Sequence, residues 1–194
     1  MSVDAKIAWC ILIGSIPAAI LGFLFEDALE RAFHAPRWVA VFLLVTGTIL
    51  ALSEAVGRRT RGFPSLGWLD AVLIGLAQAV AMLPGVSRSG ATIAAGLSRG
   101  LERDVATRFS FLLMMPVVAG AGLFALLDLV SAPSLRGLSV GALLVGFVAA
   151  AASGYLCIRF LLAFVRRHSL IPFAIYCWCA GLVALAVGWL GWRA

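Results

Sequence analysis

Along this chain, short polar clusters separate long apolar runs, which fall at residues 7–25, 38–56, 109–127, 140–162 and 173–189. An α-helix needs about 20 apolar residues to cross the hydrocarbon core of a bilayer. The pattern therefore predicts five transmembrane helices. Trp9, Trp38, Trp68, Trp178, Trp189 and Trp192 lie mostly near the ends of apolar runs, where interfacial aromatics concentrate. The stretch from Gly181 to Gly188 and the series Gly137, Gly141 and Gly146 are expected to be surfaces of close helix packing.

Residues 69–97 break the pattern. They are apolar overall but interrupted by Pro84-Gly85 and by Arg88. The segment either crosses once or folds into a re-entrant hairpin of two half-helices, and the loop charges discriminate. A hairpin places Lys6, Arg58, Arg59, Arg61, Arg99, Arg103, Arg108, Arg166 and Arg167 on one side, against Arg31, Arg37, Arg136 and Arg193. A crossing divides the same residues almost evenly. Cytoplasmic loops carry an excess of Lys and Arg, so the expectation is a hairpin entering from the cytoplasmic side. Irregular backbone survives at that depth only inside protein or beside a water-filled cavity. The fold class is thus all-α: one polytopic membrane domain over residues 1–194, with about five spanning helices and one re-entrant hairpin.

Composition agrees. Of 194 residues, 63% are hydrophobic and 12% charged, and the mean hydropathy is +1.07; a soluble domain is about 45–50% apolar and about 25% charged. The net charge of +6 sits in inter-helix clusters, which fits membrane orientation and gives no reason to invoke nucleic acid. Cys10, Cys157, Cys177 and Cys179 all lie in apolar runs and are read as small buried hydrophobes. No signal peptide is evident, because the first apolar run is too long for one and lacks a small-residue cleavage pattern.

The loop Pro84-Gly85-Val86-Ser87-Arg88-Ser89-Gly90 carries the candidate chemistry. Pro84-Gly85 ends one half-helix, and Ser87 or Ser89 caps the next. A helix N-terminus offers free N–H groups and partial positive charge to an anion. Arg88 adds a planar fork of donors suited to phosphate oxygens. A charge at this depth costs at least about 2.5–3.5 kcal/mol, which a mere turn would not require. Ser87, Ser89 and Thr92 supply hydroxyls, and Gly85 and Gly90 are expected to let a ligand approach the backbone. Gln78 and Glu54 are further candidates, Gln78 from its place on the first half-helix and Glu54 as a site carboxylate or an interfacial charge beside Arg58. Asp128 and His168 read as solvated. His34, near Glu26, Asp27 and Glu30, reads as an amphipathic stretch.

The segment from Gln78 to Ile93, with its P-G-V-S-R-S-G-A-T-I core, resembles the undecaprenyl-pyrophosphate phosphatase family linked to bacitracin resistance. The resemblance continues over Arg108–Pro116, Ile158-Arg159-Phe160-Leu161-Leu162 and Arg166–Tyr176, and includes Ile16-Pro17-Ala18 with Gly22. It implies two inverted repeats whose re-entrant tips meet at an active site, this chain carrying the second. It also implies hydrolysis of undecaprenyl diphosphate to undecaprenyl phosphate and phosphate in the bacterial plasma membrane, recycling the lipid carrier of cell-wall synthesis. Arg88 and Ser87 match the family's catalytic pair. A divalent cation, Mg or Ca, is implied as cofactor, and a homodimer stays open. Family members begin with an additional section bearing Glu-x-x-x-Glu and Pro-x-Ser-Ser-Thr-Gly-His, which this sequence lacks. The expectation is a truncated chain, inactive alone, with most metal ligands elsewhere. The alternatives are a lipid-phosphate transporter or flippase, whose broken helices share this architecture, and an inactive degenerate subunit.

Overall fold

The computed structural model describes residues 2–25, 32, 36–56, 58–131 and 140–191. Seven α-helices are present among them: α1 (Val3–Leu24), α2 (Pro36–Val56), α3 (Trp68–Val80), α4 (Arg88–Ser98), α5 (Arg103–Ser131), α6 (Val140–Arg167) and α7 (Ile171–Gly191). A short 3-10 turn, Phe63–Ser65, precedes α3. Helices α1, α2, α5, α6 and α7 are each long and apolar enough to cross a membrane, so the chain is an all-α polytopic bundle. His34, Glu26, Asp27, Glu30, Gly137 and Trp192 lie outside the described residues.

Helices α3 and α4 have 13 and 11 residues. At 1.5 Å per residue they reach about 20 and 17 Å, too short to cross a core of about 30 Å. They pack against each other, joined by the turn through Pro84-Gly85. Their outer ends meet at one carboxylate. Asp70, in the first turn of α3, accepts hydrogen bonds from Arg61 Nη2 at 2.6 Å and from Arg99 Nε at 2.8 Å, Arg99 being the C-cap of α4. Its side chain is 2% exposed. The Gly67 N–H donates to the same carboxylate at 3.0 Å, and hydrogen bonding to Asp70 raises the pKa of the Arg61 guanidinium. Backbone bonds complete the clasp: Thr60 and Arg61 N–H donate to the Gly100 carbonyl, and Glu102 N–H donates to that of Arg61.

A second clasp ties α2, α5 and α7. Glu54, at the end of α2, accepts from Arg59, from Arg103 Nη2 at 2.7 Å and from the Leu170 N–H at 2.9 Å. Arg59 adopts a left-handed conformation with φ +53° and also donates to the Glu54 carbonyl. Lys6 donates to the Pro64 carbonyl, and Arg166 pairs with Asp104. The basic clusters of the sequence thus gather at one end of the bundle.

Small residues set the helix crossings. A Cβ at Gly75 of α3 would collide with the Gly14 carbonyl of α1, and one at Gly181 of α7 would sit 2.9 Å from the Ala40 carbonyl of α2. The expectation for Gly146 is not met, since nothing lies within 4 Å of a Cβ built there. Helix α6 packs chiefly on α5, and none of its spanning window is buried. The four cysteines are free, but only Cys10 and Cys177 are buried; Cys157 and Cys179 are exposed, because they fall on outward faces of α6 and α7.

Two predictions follow from the clasp. Single cysteines at the exposed positions Thr60 and Ser98 should label from the same side of the membrane; labelling from opposite sides would mean that residues 69–97 span it. Asp70→Ala should lower stability by about 2–3 kcal/mol in detergent unfolding, below the roughly 3–5 kcal/mol of a fully buried pair, because Arg61 and Arg99 are 32% and 38% exposed.

Candidate functional site

The tip of the hairpin is carried by α2. Gly85 has φ +89°, a region unfavourable to residues with a Cβ, and an added Cβ would collide with the Val39 carbonyl. Thr46, 2% exposed, donates to the Gly85 carbonyl at 3.5 Å and accepts from the Ser87 N–H at 3.3 Å. Val39 and Thr46 lie 15 and 8 residues from Glu54, about 22 and 12 Å along the helix. The tip therefore sits about midway through a hydrocarbon core of about 30 Å.

Ser87 is the N-cap of α4, its hydroxyl accepting from the Gly90 N–H at 3.2 Å. The Ala91 N–H donates to the Ser87 carbonyl, while the N–H groups of Arg88 and Ser89 have no acceptor among the described residues. Arg88 opens the helix and is half-buried. Its guanidinium makes no hydrogen bond or ion pair there, and neither does the Ser89 hydroxyl. One permanent charge, two free amides and one free hydroxyl thus cluster at the first turn of a helix, the donor set that an oxyanion accepts.

Other candidates fall elsewhere. Thr92 is 1% exposed. Its hydroxyl bonds the Arg88 carbonyl at 2.9 Å and Ser110 at 2.5 Å, so it joins α4 to α5 instead of offering a donor to a ligand. A Cβ at Gly90 would lie 3.1 Å from the Ser87 side chain and 3.4 Å from that of Thr46, and one at Gly85 would collide with the Val39 carbonyl, so both glycines make room for α2. Glu54 lies at the basic end, saturated by two arginines and an amide. Gln78 is 1% exposed, and neither amide atom has a partner among the described residues.

Sequence reasoning missed Thr46, Asp70 and Ser110. The available signal was a polar side chain set among apolar neighbours in each helix, where an unpaired group is costly. Apart from Asp128, near the far end of α5, the carboxylates of the described residues sit at the basic end: Asp4 through α1, Glu54 and Asp70 in the clasps, Glu102 and Asp104 beside them. His168 follows α6 and stacks on Phe164 at 4.5 Å. No cluster of three His, Cys, Asp or Glu able to hold a metal occurs among the described residues. Glu54, the one expected ligand, is already committed to Arg59 and Arg103. These residues do not fit a divalent cation at the tip.

The family model described as bacitracin resistance protein BacA matches residues 1–183. The chain belongs to this family. Among curated relatives, a Methanothermobacter thermautotrophicus protein named undecaprenyl-diphosphatase is 46% identical over 179 residues, which are 91% of this chain and 97% of that one. Proteins of the same name from Rubrobacter xylanophilus and Halothermothrix orenii are 47% and 42% identical. The chain spans nearly the whole of the first relative, but 63% and 67% of the lengths of the other two. Membership of the BacA family, with five spanning helices, makes this a multi-pass membrane protein.

Two substitutions separate the roles within the tip. Ser87→Ala should cost about 1 kcal/mol, the typical loss for an N-cap, as a small drop in the melting temperature. Gly85→Ala must enforce a left-handed Cβ residue, worth about 1–2 kcal/mol, and displace α2. It should yield little monodisperse protein by size exclusion, whereas wild-type yield would show that α2 does not seat the tip.

Proposed function

We propose that this protein is an integral membrane phosphatase that hydrolyses undecaprenyl diphosphate to undecaprenyl phosphate and inorganic phosphate. It would thereby recycle the lipid carrier of cell-wall synthesis in the bacterial plasma membrane and confer bacitracin resistance. Family membership and the names of the relatives support the reaction class. The observation that carries the reading is Arg88, a permanent cation without a partner among the described residues at a helix N-terminus about midway through the bilayer. Holding a charge there is unfavourable unless an anion arrives.

In hydrolysis the oxygen of water bonds to the terminal phosphorus, the bridging P–O bond breaks, and the lipid leaves as its monophosphate. Phosphoryl transfer depends mostly on positioning and on stabilising charge over the equatorial oxygens. Arg88 holds two of those oxygens through its fork, and the Ser89 hydroxyl and the free amides of Arg88 and Ser89 hold the third. Ser87 fixes the helix end so that these donors converge. The nucleophile and base are assigned to residues other than those described, as is any divalent cation.

Arg88→Lys keeps the charge and loses the fork. In the purified protein it should reduce phosphate release from undecaprenyl diphosphate on the order of 100-fold, as removal of one oxyanion donor does. Wild-type turnover by the lysine variant would make Arg88 an interfacial charge, and movement of intact lipid without phosphate release would make the protein a transporter.

A further inference from the structure

One charge inside a spanning helix plays no part in the site described above. Arg159 lies on α6, within the apolar span Gly141–Arg167. It is exposed and makes no hydrogen bond or ion pair among the described residues. Seven residues separate it from Arg166, so the two share a face of the helix, about 10 Å apart along the axis. That face is fixed by contact: Arg166 Nε donates to Asp104 Oδ1 of α5 at 2.8 Å. One turn further along α5, Arg108 Nε lies 3.0 Å from Asp104 Oδ2. Both arginines engage Asp104 through Nε alone, leaving their terminal nitrogens without a described partner. Arg108 and Arg166 thus flank one carboxylate between α5 and α6, and Arg159 lies about two turns further inward on the same face of α6.

The depth of Arg159 is the unusual part. Helix α6 runs toward the basic end, and Cα–Cβ bonds lean toward a helix's N-terminus. The stem of Arg159 consequently leans away from the interface. Arg108, on a helix running inward, leans toward it. Positive charge thus extends from the interface inward along this face of α6. At its basic end it shares Asp104 and Arg166 with a polar cavity of about 230 Å³, whose walls also include Arg59, Glu102, Arg103 and Val165. A phosphodiester among Arg108, Arg159 and Arg166 would place its chains along the exposed apolar face of α6 and a polar headgroup toward that cavity.

We propose that the α5–α6 groove is a binding site for an anionic phospholipid, distinct from the hairpin tip, in which Arg108, Arg159 and Arg166 hold the phosphodiester. The occupant is a membrane lipid and not free phosphate, because the charges are continuous with an apolar face that only acyl chains cover.

The probes are dioleoylphosphatidylglycerol, dioleoylphosphatidylcholine and glycerol 1-phosphate, each added to the purified full chain in detergent. Lipid retained after size exclusion is counted by native mass spectrometry. Wild type should retain phosphatidylglycerol over phosphatidylcholine. R159Q should reduce that preference about fivefold, which corresponds to about 1 kcal/mol for one basic residue at an anionic surface. R159K should keep most of it. R166Q, at the interface and 52% exposed, is the second variant should R159Q fail to fold, and should weaken retention similarly. Equal retention of the two lipids by wild type overturns the proposal, as does unchanged phosphatidylglycerol retention in the folded glutamine variants. Competition by glycerol 1-phosphate at the lipid's concentration would make this a free-phosphate site. Dissociation of an oligomer by R159Q with lipid retention unchanged would assign Arg159 to a second copy of the chain.

Discussion

The fold turns on Asp70. Two helices of 13 and 11 residues are each too short to cross a bilayer, and something must hold the outer ends of the hairpin they form together against their tendency to splay. A buried carboxylate accepting from arginines before and after the hairpin does so. It closes the base of α3–α4 independently of the tip. The attraction is strong because the carboxylate is desolvated, and affordable because its oxygens are satisfied by Arg61, Arg99 and the Gly67 amide together. Removing any one donor leaves a charge in a medium that solvates it poorly.

With the base closed, the tip has a defined depth, and α2 sets its orientation. The contacts there are between backbones: Gly85 against Val39, and Thr46 with the amide and carbonyl groups of the turn. Such contacts fix position more firmly than side-chain packing, since no rotamer can relax them. The first turn of α4 is held still while the Arg88 fork stays free. Fixed donors without a fixed ligand are what electrostatic stabilisation of a transferring phosphoryl group requires.

Much of this was legible in the sequence. The five apolar runs correspond to the five long helices within a few residues, because crossing a membrane demands length and apolarity, both local properties. The Pro84-Gly85 break and the Ser87 cap were equally local. The less legible features depend on pairing. Asp70 reads as one acid near a helix start, and only the fold reveals that Arg61 and Arg99 converge on it. Thr92 and Ser87 are both hydroxyls in one motif, yet one faces α5 and the other caps a helix, which no spacing rule separates. Gly85 and Gly90 were read as openings toward a ligand, when their missing side chains make room for α2. Glu54 could be read as a site carboxylate or as an interfacial charge beside Arg58; it is a charge paired with arginines, but with Arg59 and Arg103, 5 and 49 residues away.

The order of the parts along the chain has a consequence for synthesis. Helix α2, which receives the tip, is made before the hairpin, and Arg61 is made before Asp70. Arg99, the second half of the clasp, emerges last. A nascent chain that has reached Ser98 already possesses the cradle, both half-helices and one arm of the clasp, yet nothing secures the C-terminal end of α4. Commitment of the hairpin to one side of the bilayer is therefore timed to the residue that follows it.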